Sequence, residues 1–281
     1  MGYFLVKKPI DMELKYIFNR LWKDYTDQNP SVKNIYDIFI NEGEEVVNDH
    51  IAFRTLDIDK INIDVLAKPF TSAGYVPMGE YFFKDKHLFA SHFEHPGYTG
   101  APRVFISQLI LHECSAFIQE TFNGLIVAAD TGRFPSGELI FSGTLFNPLS
   151  FEVYNRLREE SEYAAWFYVF GFRANHFTVS INSLKKNNEI LKVNDLIKRN
   201  GFILNSSGGE IKGKPEDLLQ QSSTMADIVS VNFIEGTFDI PSCYYEFAQR
   251  YPGSDGKLYS GFIASSADKI FESTDYYTKD V

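Results

Sequence analysis

The sequence is poor in cysteine and has no long apolar segment. Its 281 residues contain two cysteines, Cys114 and Cys243, and no Cys-x-x-Cys pair. A disulfide framework is therefore excluded, and we expect a reduced, cytoplasmic protein. The longest apolar run, from Tyr163 to Phe172, is about half as long as a membrane span and is expected to be a buried helix end. The apolar run at the N-terminus is too short for a signal peptide.

Basic residues and nucleotide-binding motifs are also lacking. The chain has 27 basic and 37 acidic residues, a net charge of −10 and no block of Lys or Arg. Nucleic acids and anionic membranes are therefore not expected as partners. The motifs G-x-x-x-x-G-K-[ST], G-x-G-x-x-G, G-x-S-x-G and H-E-x-x-H are all absent, which argues against nucleotide, dinucleotide and serine-hydrolase chemistry. An acidic chain that binds an anion must do so with local, buried cations.

Apolar residues, by contrast, are plentiful, and one apolar strand contains two unusual side chains. Hydrophobic residues make up 44% of the chain, which is ample for one large or two small domains. In the β-favouring run from Val47 to Thr55, alternation places His50 and Arg54 on one face of a strand. That face carries a candidate metal ligand and a permanent cation. The alternative is a hydrogen-bonded core histidine and a surface ion-pair arginine.

The pattern around His50 is repeated later in the chain. His50 lies 24 residues before Gly74, with Tyr75 next, and His176 lies 25 residues before Gly201, with Phe202 next. Each unit has a strand with its histidine, a helix, a Gly-aromatic pair and further strands. Such self-similarity indicates two related modules.

The repeat predicts an α+β fold in which two βαβββ modules form a curved, half-open, barrel-like mixed sheet with covering helices. Their first strands would be related by a pseudo-twofold axis, so that His50 and His176 face each other across a cavity. We expect a single catalytic domain over residues 1–281. Its parts are a helical cap (1–47), a first module (48–112), a helical connection (113–172), a second module (173–250) and a C-terminal tail packed on the core (251–281).

A carboxylate on the last strand of the second module completes a candidate metal site. Glu246 is flanked by Tyr245 and Phe247, and a buried carboxylate needs a partner. A metal ion held with His50 and His176 is one such partner, since two histidines and one carboxylate suit non-haem Fe(II). An ion pair with Arg250 or Arg173 is the alternative.

Two further predictions concern neighbours of this site. Gln108, 58 residues after His50, is predicted to correspond to Glu246, 70 residues after His176, and to bind substrate or a water ligand. His87, His92 and His95 form a denser cluster that invites a zinc interpretation. A regular strand would place His87 and His92 on opposite faces, however, so this cluster is the less favoured metal site.

These residues resemble the 2-oxoadipate dioxygenase/decarboxylase family, also called hydroxyglutarate synthases, whose fold is of the vicinal-oxygen-chelate type. The resemblance lies in the segments Asp49–Thr55, Asn175-His176, Tyr244–Arg250 and Leu258–Thr274. Members of this family use Fe(II), held by two His and one Glu, to convert 2-oxoadipate and O₂ to 2-hydroxyglutarate and CO₂. The family's well-known members are much longer, so the half of the pocket that recognises the second carboxylate is expected to differ.

The resemblance implies that His50, His176 and Glu246 bind Fe(II) and that Arg54 binds a substrate carboxylate. The partners would be a small 2-oxo acid and O₂. The same three ligands also hold Zn, Ni, Mn or Co, so a glyoxalase-like metal-dependent isomerase or lyase is one alternative function. A metal-free small-molecule binding protein is another, and the sequence does not give the oligomeric state.

Overall fold

A curled mixed sheet of seven strands forms the centre of the protein. The computed structural model describes residues 9–98, 100–129 and 137–274. Its strands are β1 (Asn48–Leu56), β2 (Val76–Phe83), β3 (Leu88–Glu94), β4 (Arg103–Leu109), β5 (Ala174–Ser180), β6 (Leu219–Ser223), β7 (Ile228–Phe233), β8 (Gly236–Pro241) and β9 (Tyr244–Arg250). The main sheet has the order β2-β3-β4-β1-β5-β9-β6, and β7 pairs with β8 in a separate hairpin. The predicted α+β class with a half-open sheet is confirmed.

Eight helices flank this sheet in the described part of the chain. They are α1 (Pro9–Gln28), α2 (Pro30–Asn41), α3 (Ile63–Ser72), α4 (Ala116–Ala128), α5 (Phe151–Glu160), α6 (Glu162–Phe170), α7 (Ile190–Arg199) and α8 (Ala264–Phe271). The helices α1 and α2 lie within the predicted cap, whose first eight residues are outside the described ranges. Residues 130–136 of the predicted connection and 275–281 of the predicted tail are outside them too.

The repeated glycines have a clear structural reason. Gly74 follows the end of α3 with φ +100°, and Gly201 follows the end of α7 with φ +87°. This left-handed conformation is easily reached only without a Cβ, and it turns the chain from the helix into the next segment. The repeat in sequence therefore reflects the same helix ending used twice.

The two modules are related as predicted by a pseudo-twofold axis. In the antiparallel pair β1–β5, Ile51 lies opposite Phe177, with His50 opposite Thr178 and Ala52 opposite His176. In both modules the first strand then pairs in parallel with the last strand, β1 with β4 and β5 with β9. The two histidines thus occupy equivalent positions on neighbouring strands at the centre of the sheet.

The first module contributes four strands to the main sheet, but the second module contributes only three. Residues 202–205, which follow α7, make only an isolated bridge, from Leu204 to Thr224, and residues 228–233 form β7, which lies in the hairpin. Gly208, Gly209 and Gly213 lie after residue 205 and have positive φ values, which interrupt the extended pairing of this segment. The strand beside β9 is instead β6.

The long apolar run is a buried helix, as predicted. Residues 163–170 of α6 are all buried against the core. Within the described ranges, no helix combines the length and the apolar character needed to cross a membrane.

Candidate metal centre

His50, His176 and Glu246 converge at the middle of the sheet. All three are buried, and their ligand atoms lie within 4.8 Å of one another. Nε2 of His50 is 3.5 Å from Oε1 of Glu246, and Nε2 of His176 is 3.2 Å from Oε2. Atoms bound about 2.1 Å from one ion are about 3 to 4 Å apart. The donor set and its spacing therefore fit a divalent metal ion, as the sequence predicted.

A polar residue directly before each histidine fixes the orientation of its ring. Nδ1 of His50 lies 2.8 Å from Oδ1 of Asp49, and Nδ1 of His176 lies 3.0 Å from Oδ1 of Asn175. Both oxygens accept hydrogen bonds, so each Nδ1 carries a proton, and each Nε2, which faces Glu246, is left for a metal ion. This is the arrangement by which proteins orient histidine ligands.

The charges around the three residues also favour a cation. Burial raises the pKa of Glu246, but His50 and His176 outweigh it and bring that pKa down to about 2. Burial lowers the pKa of His176, which keeps its imidazole in the neutral form that binds metals. At His50 burial is outweighed by the carboxylates of Glu246 and Asp49, which raise the pKa. Two carboxylates beside one ring favour a positive charge at this place.

Glu246 does not form the alternative ion pair with Arg250 or Arg173. Arg250 pairs with Asp49 through Nε at 2.7 Å, and Arg173 lies 3.9 Å from Asp24. Glu246 instead accepts a hydrogen bond of 2.6 Å from Nε2 of Gln221 on β6. One carboxylate oxygen is thus held by a neutral amide, and the ionised side chain is directed to the two imidazoles.

Gln108 does not belong to this site, and the prediction for it is wrong. It pairs in register with Thr55, on the face of β4 opposite to the histidines, and accepts a hydrogen bond from the backbone N–H of Ile63 at the start of α3. Its equivalent in the second module is Gln249, which accepts from Ile190 at the start of α7. Both glutamines therefore anchor a helix to the sheet.

Phe105 occupies the position equivalent to Glu246. It pairs with Ala52 on β1, as Glu246 pairs with Thr178 on β5. Phe105 lines the cavity beside the three polar residues. The pseudo-symmetry is therefore broken in chemistry, because one module supplies a carboxylate and the other an apolar wall.

Arg54 is a buried cation with unfilled hydrogen-bonding capacity. It is 1% exposed, and its Cζ lies 4.8 Å and 5.0 Å from the ring centroids of Tyr163 and Trp166. Its Nη1 donates to both carboxylate oxygens of Glu162 at 3.3 and 3.4 Å. Nε and Nη2 have no hydrogen-bond partner among the described residues. Unpaired buried donors are costly, and a bound anion would satisfy them.

The cluster of three histidines is not a metal site within the described residues. His87 lies 2.9 Å from Glu113, His92 3.0 Å from Glu94, and Nε2 of His95 3.0 Å from the carbonyl of Ala73. Each ring therefore has its own partner. In the part of the chain that the structure describes, the one group of three candidate ligands is that of His50, His176 and Glu246.

The C-terminal segment closes the cavity above the histidines. The ring of Phe262 lies 4.8 Å from that of His50, and Ala267, Ile270 and Phe271 of α8 line the same cavity. Its volume is about 20 Å³, room for about one water molecule. This roof, formed by Phe262 and α8, excludes bulk water. An organic ligand can reach the three candidate ligands only when the roof moves.

Several functional neighbours were not assigned from the sequence. Asp49 and Asn175 could have been found, because a short polar acceptor precedes each repeated histidine and metal-binding histidines need one. Gln221 and Glu162 come from segments with no distinctive pattern. Only the folded chain places them beside Glu246 and Arg54.

Comparison with known proteins agrees with this geometry. The family model for 2-oxoadipate dioxygenase/decarboxylase matches residues 17–131 and 142–255. The chloroplastic/amyloplastic 2-oxoadipate dioxygenase/decarboxylase of Oryza sativa subsp. japonica is 38% identical over 296 residues, which cover 95% of this chain and 80% of that protein. A Shewanella frigidimarina protein described as a candidate hydrolase has 50% identity and a TM-score of 0.84, covering 89% of this chain and 98% of that chain.

A second solved structure is that of a hydroxyglutarate synthase from Oryza sativa in complex with 2-oxoadipate. Its TM-score is 0.88 at 35% identity, and the match covers 96% of this chain and 95% of that chain. The match therefore extends over nearly all of the crystallised chain of this relative. The resemblance found in the sequence is confirmed: the chain belongs to the 2-oxoadipate dioxygenase/decarboxylase family.

Proposed function

We propose that this protein is an Fe(II)-dependent dioxygenase that decarboxylates 2-oxoadipate, or a closely similar 2-oxo acid, to 2-hydroxyglutarate and CO₂. The observation that carries the proposal is the convergence of His50, His176 and Glu246, together with a buried arginine that has free donors and contacts Phe271 in the wall of their cavity. The family membership and the 2-oxoadipate bound to the rice relative support the choice of substrate. The reaction balances with O₂ alone, because the 2-oxo acid supplies the electrons.

The chain's own residues would act as ligands, anchors and walls. His50, His176 and Glu246 would hold the metal, which supplies the O₂ chemistry when bound. Arg54 would bind a substrate carboxylate through Nε and Nη2, since a planar guanidinium fork matches a carboxylate. Phe262 would exclude bulk water from the reacting carbon. The protein's contribution is therefore positioning and exclusion.

Oxygen uptake distinguishes this function from its rivals. Iron-loaded protein should consume O₂ only when 2-oxoadipate is present, with one CO₂ released per O₂. Removing iron with a chelator should stop both. Turnover at the same rate without O₂ would support a glyoxalase-like isomerase or lyase, or the hydrolase described for the Shewanella relative. Ligand binding that is unaffected by chelation and by His50→Ala would support a metal-free binding protein.

Arg54→Ala is expected to weaken binding of the 2-oxo acid by about 100-fold, while the iron content stays near that of the native protein. The iron content should stay the same because Arg54 touches none of the three candidate ligands. Arg54→Lys keeps the charge but loses the fork and should restore only part of the affinity. The measurements are anaerobic calorimetry with 2-oxoadipate and metal analysis. An iron loss equal to that of His176→Ala would contradict the assigned roles.

The proposed partners are a small 2-oxo acid and O₂, with no nucleic acid and no membrane. The net charge of −10 supports the absence of polyanionic partners. We also propose a reducing, cytoplasmic location, which the two free cysteines support. The rice relative, by contrast, is a chloroplastic/amyloplastic protein.

A further inference from the structure

A second pocket lies directly outside the closed metal cavity. It has a volume of about 240 Å³ and is lined in part by Lys86, His87, Glu162, Tyr163 and Phe271. Phe271 also lines the metal cavity. Phe271 is therefore a wall shared by the metal cavity and a pocket large enough for a small dicarboxylic acid.

Arg54 lies behind the wall shared by the two cavities. Its guanidinium contacts the rings of Tyr163 and Phe271, with Cζ 4.8 and 5.8 Å from their centroids. On the outer side it meets Glu162, whose side chain is 27% exposed. Glu162 is the carboxylate that approaches Arg54 from the solvent side.

The ion pair between Glu162 and Arg54 is weak enough in geometry for another carboxylate to replace Glu162. Both oxygens of Glu162 share a single nitrogen, Nη1, at 3.3 and 3.4 Å, which is long for a charged pair. Nε and Nη2 are left without partners in the described ranges. A carboxylate that bound the fork through two nitrogens would satisfy more of these donors than Glu162 does.

Glu162 is also tied to the segment that roofs the site. The hydroxyl of Thr274 donates to its Oε1, and Thr274 is the last residue of the 3-10 turn that directly follows the covering helix α8. Movement of Glu162 away from Arg54 would release a contact of the roof at the same time.

We propose that the outer pocket is the substrate entrance and that Glu162 is a resident anion, which the incoming substrate carboxylate displaces from Arg54. The inference rests on the proposed function. Glu162 keeps the buried guanidinium paired before substrate arrives, and it discriminates against ligands without a carboxylate, which cannot replace it. Glu162 therefore lowers the affinity for substrate, because substrate must first break its ion pair with Arg54.

The test is Glu162→Gln, which removes the charge and keeps the shape. The dissociation constant of 2-oxoadipate, measured by anaerobic calorimetry on iron-loaded protein, is expected to fall by about tenfold. Glu159→Gln is the matched control, since Glu159 is exposed on the neighbouring helix and lines neither cavity. It makes the same change in net charge and should leave the constant unchanged.

A double variant shows whether the effect passes through Arg54. In the Arg54→Ala background, Glu162→Gln should no longer tighten binding. An unchanged or weaker affinity in the single variant overturns the proposal, and so does a gain that persists without Arg54. If the native protein itself does not bind 2-oxoadipate, the proposed function is lost and this inference with it. Native binding with no gain in Glu162→Gln overturns this inference alone.

Discussion

His176→Ala is expected to lower the affinity for iron by more than about 100-fold, because even changes to residues that only orient a metal ligand cost 10–100-fold. The value of kcat/KM for 2-oxoadipate should fall by at least about 1,000-fold. The physical reason is that Nε2 of His176, 3.2 Å from Glu246, has no substitute among the described residues. Metal analysis after equilibration with a fixed iron concentration, together with oxygen uptake, gives both values.

Two further variants should give intermediate and unchanged iron affinities for comparison with His176→Ala. Asn175→Ala removes the acceptor of Nδ1 of His176 but keeps the ligand, so its iron affinity should lie about 10–100-fold below the native value. His112→Ala is the control, since this histidine is 77% exposed and lies beside Asp57. It should behave as the native protein. A native iron content in His176→Ala would rule out the proposed metal centre.

The central site was predictable because the repeat in the sequence encodes it. Two histidines at equivalent places in two βα units had to lie near each other once the first strands paired, and β1 and β5 do pair. The carboxylate could be found because an acid in a strand as apolar as β9 needs a partner. The alternation of strand side chains then placed Glu246 on the histidine face.

The error at Gln108 has an equally specific origin. The sequence showed that the second module is longer, but not where the extra residues lie. The structure places them in the hairpin β7–β8, outside the main sheet. Without that position, spacing alone selected Gln108, three residues beyond Phe105, the true equivalent of Glu246. An odd shift in a strand moves a side chain to the opposite face.

Other features could not be read from local patterns. The strand β6 has the sequence Leu-Gln-Gln-Ser-Ser, which lacks β-branched and aromatic residues. It is a strand because its polar side chains are used inside the protein: Gln221 binds Glu246, and Ser222 binds Asn194. The closing of the metal cavity by Phe262 and α8 likewise depends on contacts between distant parts of the chain.

Arg250→Met is expected to destabilise the protein by about 3–5 kcal/mol, because it leaves the carboxylate of Asp49 buried without its main counter-charge. Arg250 and Asp49 are 3% and 5% exposed and form a bidentate pair, Nε to Oδ2 at 2.7 Å and Nη2 to Oδ1 at 2.9 Å. Arg103, at 3.4 Å, is a weaker second partner. Urea unfolding of metal-free protein measures the change in the free energy of unfolding.

The surface pair of Arg199 with Glu42 provides the comparison. Its atoms are 3.7 Å apart and both side chains are well exposed, so Arg199→Met should change stability by less than about 1 kcal/mol. A similar small change in Arg250→Met would mean that Asp49 finds water or another partner when the arginine is removed. The size of the difference between the two variants therefore reports how dry the surroundings of Asp49 are.

The same substitution should also loosen the metal centre. Arg250 holds Asp49, which orients His50, and its Nη1 donates to the carbonyls of Tyr259 and Gly261 at 2.9 and 2.7 Å. Gly261 immediately precedes Phe262, the ring that covers His50, and Tyr259 lies three residues before it. One guanidinium thus connects the orientation of a metal ligand to the position of the roof. Without urea, where Arg250→Met is still folded, its iron affinity should therefore be about 10–100-fold lower than that of the native protein. Arg199→Met should keep the native iron affinity.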